Sequence, residues 1–129
     1  MEILASRMLI RPADYPTSLA FYRDALGLAI ARDYGAGMVF YAGQSLIELA
    51  GHGRGDGQHG TFPGALWLQV RDVRATQTEL ESRGVLISRA AQQEPWGLHE
   101  MHVVDPDGVR LIFVEVPESH PLRKDTRGT

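Results

Sequence analysis

The chain has 129 residues, a length that fits one domain and makes two independent cores unfavourable. Its 43% hydrophobic and 22% charged residues are those of a globular protein, and a net charge of -3 gives no electrostatic reason for nucleic acid or an anionic membrane as partner. It has no cysteine, which excludes disulfides, thiolate metal sites and cysteine nucleophiles. That composition fits a reducing compartment, so a cytoplasmic location is expected. No apolar run approaches the ~20 residues that span a bilayer. The opening MEILASRMLIRPADYP lacks a basic segment followed by a long apolar run, so it does not read as a signal peptide.

In chain order, residues 3–11 (ILASRMLIR) read as a strand running into a turn at Arg11-Pro12. Asp14 is a candidate cap for a helix over about 16–26, with Pro16 tolerable in its first turn. Leu19, Tyr22 and Leu26 give that helix one apolar face, and Gly27 suits its end. Strands are predicted at 28–34, 38–42 and 45–50, and their short separations favour antiparallel hairpins. One of Phe40 and Tyr41 must face inward, and alternation alone does not choose between them.

A glycine-rich stretch, GHGRGDGQHG at 51–60, then interrupts the pattern. It lacks the Lys-Ser/Thr ending of a phosphate loop and reads as a hinge or lid, with His52 and His59 as solvated loop residues. The programme restarts after it. A strand is predicted at 65–71, then a helix at 73–83 capped by Asp72 and closed by Gly84. Further strands follow at 85–89, 98–104 and 109–116, the last two joined by a turn at 105–108. The residues after Pro117 are polar, and are expected to be disordered or draped over the surface.

The order is thus β-α-β-β-β twice. LIRPAD with a helix ending at Gly27 matches LQVRD with a helix ending at Gly84. This predicts an α+β domain of two tandem βαβββ modules, about 3–50 and 62–117, joined by a linker at 51–61 and followed by a tail at 118–129. The expected architecture is a curved mixed sheet around a central cavity, with the helices outside.

Three segments carry a resemblance: SLAFYRDALGL (18–28), SLIEL (45–49) and DPDGVRLIFVEVP (105–117). Together they resemble the vicinal oxygen chelate superfamily, the glyoxalase, bleomycin-resistance and dioxygenase group. The resemblance spans residues 3–117 and is more specific for the fold than for any one activity.

Metal-dependent members of that group hold a divalent ion through four side chains. The matching positions here are Arg7, Glu48, Ala65 and Ile112. Only Glu48 is a metal ligand by its chemistry, because Ala65 and Ile112 have no donor atom and Arg7 has no lone pair. The resemblance therefore implies no metal at these positions and no cofactor. Glu115 lies near Ile112 but on the opposite parity of its strand. A fallback metal set is Glu48 with Glu100 and His102, which share a strand face by alternation while Met101 and Val103 turn toward the helices.

Arg7, Glu48, Trp67, Trp96, His102 and Ile112 are the expected ligand-binding residues. Trp67 has the parity of Ala65, and Trp96 sits in EPWG, which resembles a tryptophan-glycine pair of drug-binding members. Two indoles suit an aromatic ligand by stacking. The function expected is metal-independent binding that sequesters an aromatic or cationic compound, in the manner of bleomycin-resistance proteins. By the same resemblance, a homodimer is expected. The alternatives are a metal-dependent glyoxalase, epimerase or dioxygenase (a lyase, isomerase or dioxygenase reaction), or a metal-free enzyme using Glu48 and His102 as acid and base.

Overall fold

The computed structural model describes residues 1–52 and 64–121. The linker positions 53–63 and the tail from 122 onward, including His59, lie outside the described residues. The described residues divide into two compact units. The first holds residues 1–52 with Asp105–Val109, and the second holds residues 64–104 with the chain from Arg110. Each contains one four-stranded mixed sheet, so the tandem repeat read from the sequence is the organisation of the fold.

In the first unit, β1 (Met8–Ile10) pairs in parallel with β4 (Ser45–Ala50), and β4, β3 (Gly37–Ala42) and β2 (Ile30–Asp33) pair antiparallel. β1 is shorter than expected. Its pairing reaches only Ile47–Leu49 of β4, and residues before it are exposed, because a strand extends only as far as its ladder.

The helix begins as predicted, with Asp14 accepting from Thr17 N at 3.1 Å. α1 (Tyr15–Leu19) then widens into a π-helical stretch over Ala20–Ala25, and Leu26 N donates to Phe21 O at 2.8 Å. Apolar spacing over so few residues cannot tell this wider coil from an α-helix. Gly27 follows with φ +68°, the left-handed turn that glycine adopts without strain.

Tyr22 and Phe40 are fully buried with ring centroids 6.4 Å apart, whereas Tyr41 is exposed. Phe40 is therefore the residue packed under the helix, and Tyr41 points to the other face.

The turn after Val104 uses both of its aspartates. Asp105 Oδ1 accepts from Asp107 N at 2.9 Å and Val109 N at 2.7 Å, while Oδ2 accepts from the Tyr22 hydroxyl at 2.7 Å. Asp107 accepts from Ala13 N at 2.9 Å and Ser18 Oγ at 3.1 Å. The DPDG segment is thus a structural clasp whose carboxylates satisfy donors of the first unit.

The second unit repeats the plan. β5 (Leu66–Gln69) lies parallel to β8 (Arg110–Glu115), followed by β7 (His99–Val104) and β6 (Ile87–Gln93). β6 runs further than predicted, and its register shifts between Ile87 and Arg89 and again between Arg89 and Gln92. Such irregularities hide the period-two signal that sequence reading relies on.

α2 (Val73–Ser82) is capped by Asp72, which accepts from Ala75 N at 3.0 Å. Glu115 Oε1 accepts from Val73 N at 2.9 Å, so Glu115 serves the helix start on the face opposite Ile112. Met101 and Val103 are fully buried, as expected of the apolar members of β7. The tail turns back at its start, where His120 Nε2 lies 3.2 Å from Trp96 O.

Candidate functional site

In the first unit, the register sets Leu9, Glu48, Val39 and Arg32 in one row across the sheet. Arg7 precedes this row and brings Nη1 to within 3.0 Å of Glu48 Oε1. The other carboxylate oxygen, Oε2, accepts from the Tyr34 hydroxyl at 2.7 Å, and that hydroxyl lies 3.2 Å from His52 Nε2.

Tyr34 fits there because Gly37 has no side chain. A Cβ at Gly37 would stand 2.2 Å from Tyr34 Oη and 2.6 Å from Leu49 O. Tyr34 and His52 were not among the sequence candidates. The signal available for Tyr34 was its place directly before Gly35-Ala36-Gly37, where a small residue leaves room for a phenol.

The Tyr34 hydrogen bond, with the Arg7 guanidinium adding, holds the Glu48 carboxyl below its usual value despite partial burial. Tyr34 is pushed up to about 12, by burial first and then by Glu48. The phenol therefore stays a donor and Glu48 stays a carboxylate at neutral pH. A carboxylate stabilised this way orients and binds cationic or donor groups better than it takes a proton.

In the second unit, the register aligns Trp67 with Ile112, Ile112 with His102, and His102 with Arg89. Directly paired residues share a face, so three expected ligand-binding residues, Trp67, Ile112 and His102, lie in one row. Trp67 is 49% exposed. Ile112 packs against a small apolar cluster of Leu98, Val114 and Val116.

Trp96 is 58% exposed, yet its orientation is fixed. Its Nε1–H donates to Glu100 Oε2 at 2.8 Å, and the turn that carries it closes with Gly97 N on Glu94 O at 2.9 Å. An exposed ring pinned by its polar atom offers a stacking face at little further cost in side-chain entropy.

Glu100 and His102 of the fallback metal set belong to the second unit, whereas Glu48 belongs to the first and is engaged by Arg7 and Tyr34. The carboxylate that groups with Glu100 and His102 is Glu94, and ligand atoms of the three lie within 4.8 Å of one another. Glu94, in the EPWG segment, was not among the sequence candidates. Glu94 is also ion-paired to Arg89 Nη2, which donates to Glu100 O at 3.1 Å as well. Burial, then the neighbouring Arg89, holds the His102 imidazole below its ordinary value of 6.5.

Comparison with known proteins places these features in a family. The sequence model of the Glyoxalase/Bleomycin resistance protein/Dioxygenase superfamily matches residues 5–113. A lactoylglutathione lyase of Haemophilus influenzae is 29% identical over 127 residues, covering 89% of this chain and 93% of the relative. Among solved structures, a superfamily member from Sphaerobacter thermophilus superposes with a TM-score of 0.70 at 23% identity, covering 89% of this chain and 98% of that one. A lactoylglutathione lyase from Agrobacterium tumefaciens gives 0.65 at 20% identity, covering 89% and 96%. Among the described residues, no helix is long and apolar enough to cross a membrane.

Proposed function

The chain belongs to the Glyoxalase/Bleomycin resistance protein/Dioxygenase superfamily, and we propose that within it the protein is a small-molecule binding protein rather than a metalloenzyme. Its ligand is an aromatic or cationic organic compound, which it sequesters as a homodimer without a metal at the family's four ligand positions.

The observation that carries this reading is the ion pair between Arg7 and Glu48. Of the four side chains at the family positions, Ala65 and Ile112 offer no donor atom. Arg7 contributes a cation that already neutralises the one remaining ligand, Glu48. This donor set does not fit a divalent ion, and no metal-dependent step is assigned to it. Trp67 and Trp96 support an aromatic ligand because about half of each side chain is exposed, and Glu48 supports a donor or cationic group.

A second reading is favoured by one observation, the 29% identity to a lactoylglutathione lyase. Under it the protein would be an enzyme of that type, with Glu48 and His102 as the acid–base candidates.

Titration with a panel of aromatic and cationic compounds, followed by tryptophan fluorescence, tests the proposal. Saturable quenching by at least one compound is expected. Its affinity should fall about 10-fold in Trp96→Ala or Trp67→Ala, the upper end of what a ring–ring contact contributes. Light scattering should give the mass of a dimer. Unchanged affinity in both variants, or lactoylglutathione lyase turnover by the wild type supplied with Zn²⁺ or Ni²⁺, overturns the binding reading.

A further inference from the structure

We propose that Glu94, Glu100 and His102 form a divalent transition-metal site in the second unit, separate from the four positions its family uses. The inference does not depend on the binding function proposed above.

The three ligand atoms lie within 4.8 Å of one another, a spacing that one ion with bonds of roughly 2.0–2.2 Å spans after small rotamer changes. The donors come from β7 and from the turn that leads into it. That turn is fixed by Glu94 N on Leu98 O at 2.7 Å and Gly97 N on Glu94 O at 2.9 Å. Two carboxylates and an imidazole suit a borderline ion such as Zn²⁺, Co²⁺ or Ni²⁺ better than the all-oxygen shell preferred by Ca²⁺ or Mg²⁺.

Charge and hydrogen bonding around the cluster each point to a cation. Glu94 and Glu100 are 7% and 6% exposed, so both carboxylates are largely removed from water. Arg89 pairs with Glu94, but it meets Glu100 through the backbone oxygen. The Glu100 carboxylate accepts instead from the neutral indole of Trp96. A buried carboxylate held by a neutral donor is costly unless a positive charge joins it. The same indole contact is what a metal-ligating carboxylate takes as an outer partner that fixes its orientation.

Arg89 supplies a separate clue. Its Nε–H is buried with no acceptor among the described residues. A hydroxide completing the coordination of an ion held by three side chains would provide an acceptor of the right kind.

Arg89 also makes the proposal specific. Its guanidinium and the ion compete for Glu94, so the site should be of moderate affinity and should strengthen when Arg89 is removed.

The test is Co²⁺ titration of the full chain without an affinity tag, read by visible absorption, with Zn²⁺ displacement by calorimetry. One Co²⁺ per chain is expected. Binding should weaken more than ~100-fold in His102→Ala and Glu100→Gln, beyond what outer-partner changes commonly cause. It should weaken about 10-fold in Trp96→Phe, which keeps the ring but removes the donor. It should tighten in Arg89→Met and stay unchanged in Glu48→Gln, with circular dichroism confirming the fold of each variant. Should a ligand variant fail to fold, Trp96→Phe and Arg89→Met decide in its place. Absence of Co²⁺ binding at millimolar metal overturns the proposal. So does binding indifferent to His102, Glu100 and Trp96, or binding lost in Glu48→Gln or His120→Ala.

Discussion

Arg7 and Glu48, 41 residues apart in sequence, meet at 3.0 Å beside the parallel pairing of β1 and β4. The contact sets the Arg7 cation against the Glu48 carboxylate. The pair is partly solvated, with Arg7 42% and Glu48 17% exposed, so its own contribution to stability is modest, ~0.2–1 kcal/mol.

The pair has a pH signature. Glu48 titrates below its ordinary value of 4.5 in the folded chain, so the unfolded chain takes up the proton first as pH falls. The stability this group contributes is present above about pH 4.5 and is lost as pH falls through the depressed folded value. Because Tyr34 is the first cause of the shift, Tyr34→Phe should flatten this part of the stability profile. Urea denaturation from pH 3 to 7 measures it. Equal profiles for Tyr34→Phe and wild type would remove Tyr34 from this role.

Gly37→Ala should be destabilising although the substituted residue is small. The new Cβ would stand 2.2 Å from Tyr34 Oη and 2.6 Å from the backbone oxygen of Leu49. A phenol can rotate away, but the backbone of a paired strand yields less readily, so a loss of ~1–3 kcal/mol is expected. The double variant Gly37→Ala with Tyr34→Ala should recover only part of it, because the Leu49 contact persists. Thermal unfolding of the three variants resolves the two contributions, and full recovery would assign the whole cost to the phenol.

Tyr22→Phe should cost ~1–3 kcal/mol with little change in packing. The hydroxyl is the donor to the buried Asp105 Oδ2 at 2.7 Å, and its removal leaves an acceptor unsatisfied away from water. Asp105→Asn should cost more, since the same side chain also accepts from Asp107 N and Val109 N and so holds the turn. Chemical denaturation ranks the two. If Asp105→Asn were the milder change, the clasp would not be the main role of DPDG.

Local signals were enough for much of the fold. Asp14 and Asp72 cap helices where their spacing to the apolar faces said they would, and Gly27 and Gly84 end them with φ +68° and +79°. The DPDG turn and the repeated strand order were legible for the same reason: each is fixed by residues close together in the chain. β6 departs from its expected bounds because its register shifts at Arg89 break the alternation by which a strand is recognised. The widening of the first helix left no mark in its apolar spacing.

The absence of donor atoms at positions 65 and 112 was also legible in the sequence, because Ala65 and Ile112 lack them in any conformation. Which partners the remaining groups take was decided only by tertiary structure. That Glu48 is held by Tyr34, and that Tyr34 has room because position 37 is glycine, depends on contacts between strands. That Glu94 rather than Glu48 joins Glu100 and His102 depends on the turn carrying EPWG folding back beside β7. A sequence states which atoms are available and in what order along the chain. The distances that turn them into an ion pair or a ligand cluster arise only when strands far apart in sequence lie about 5 Å apart in space.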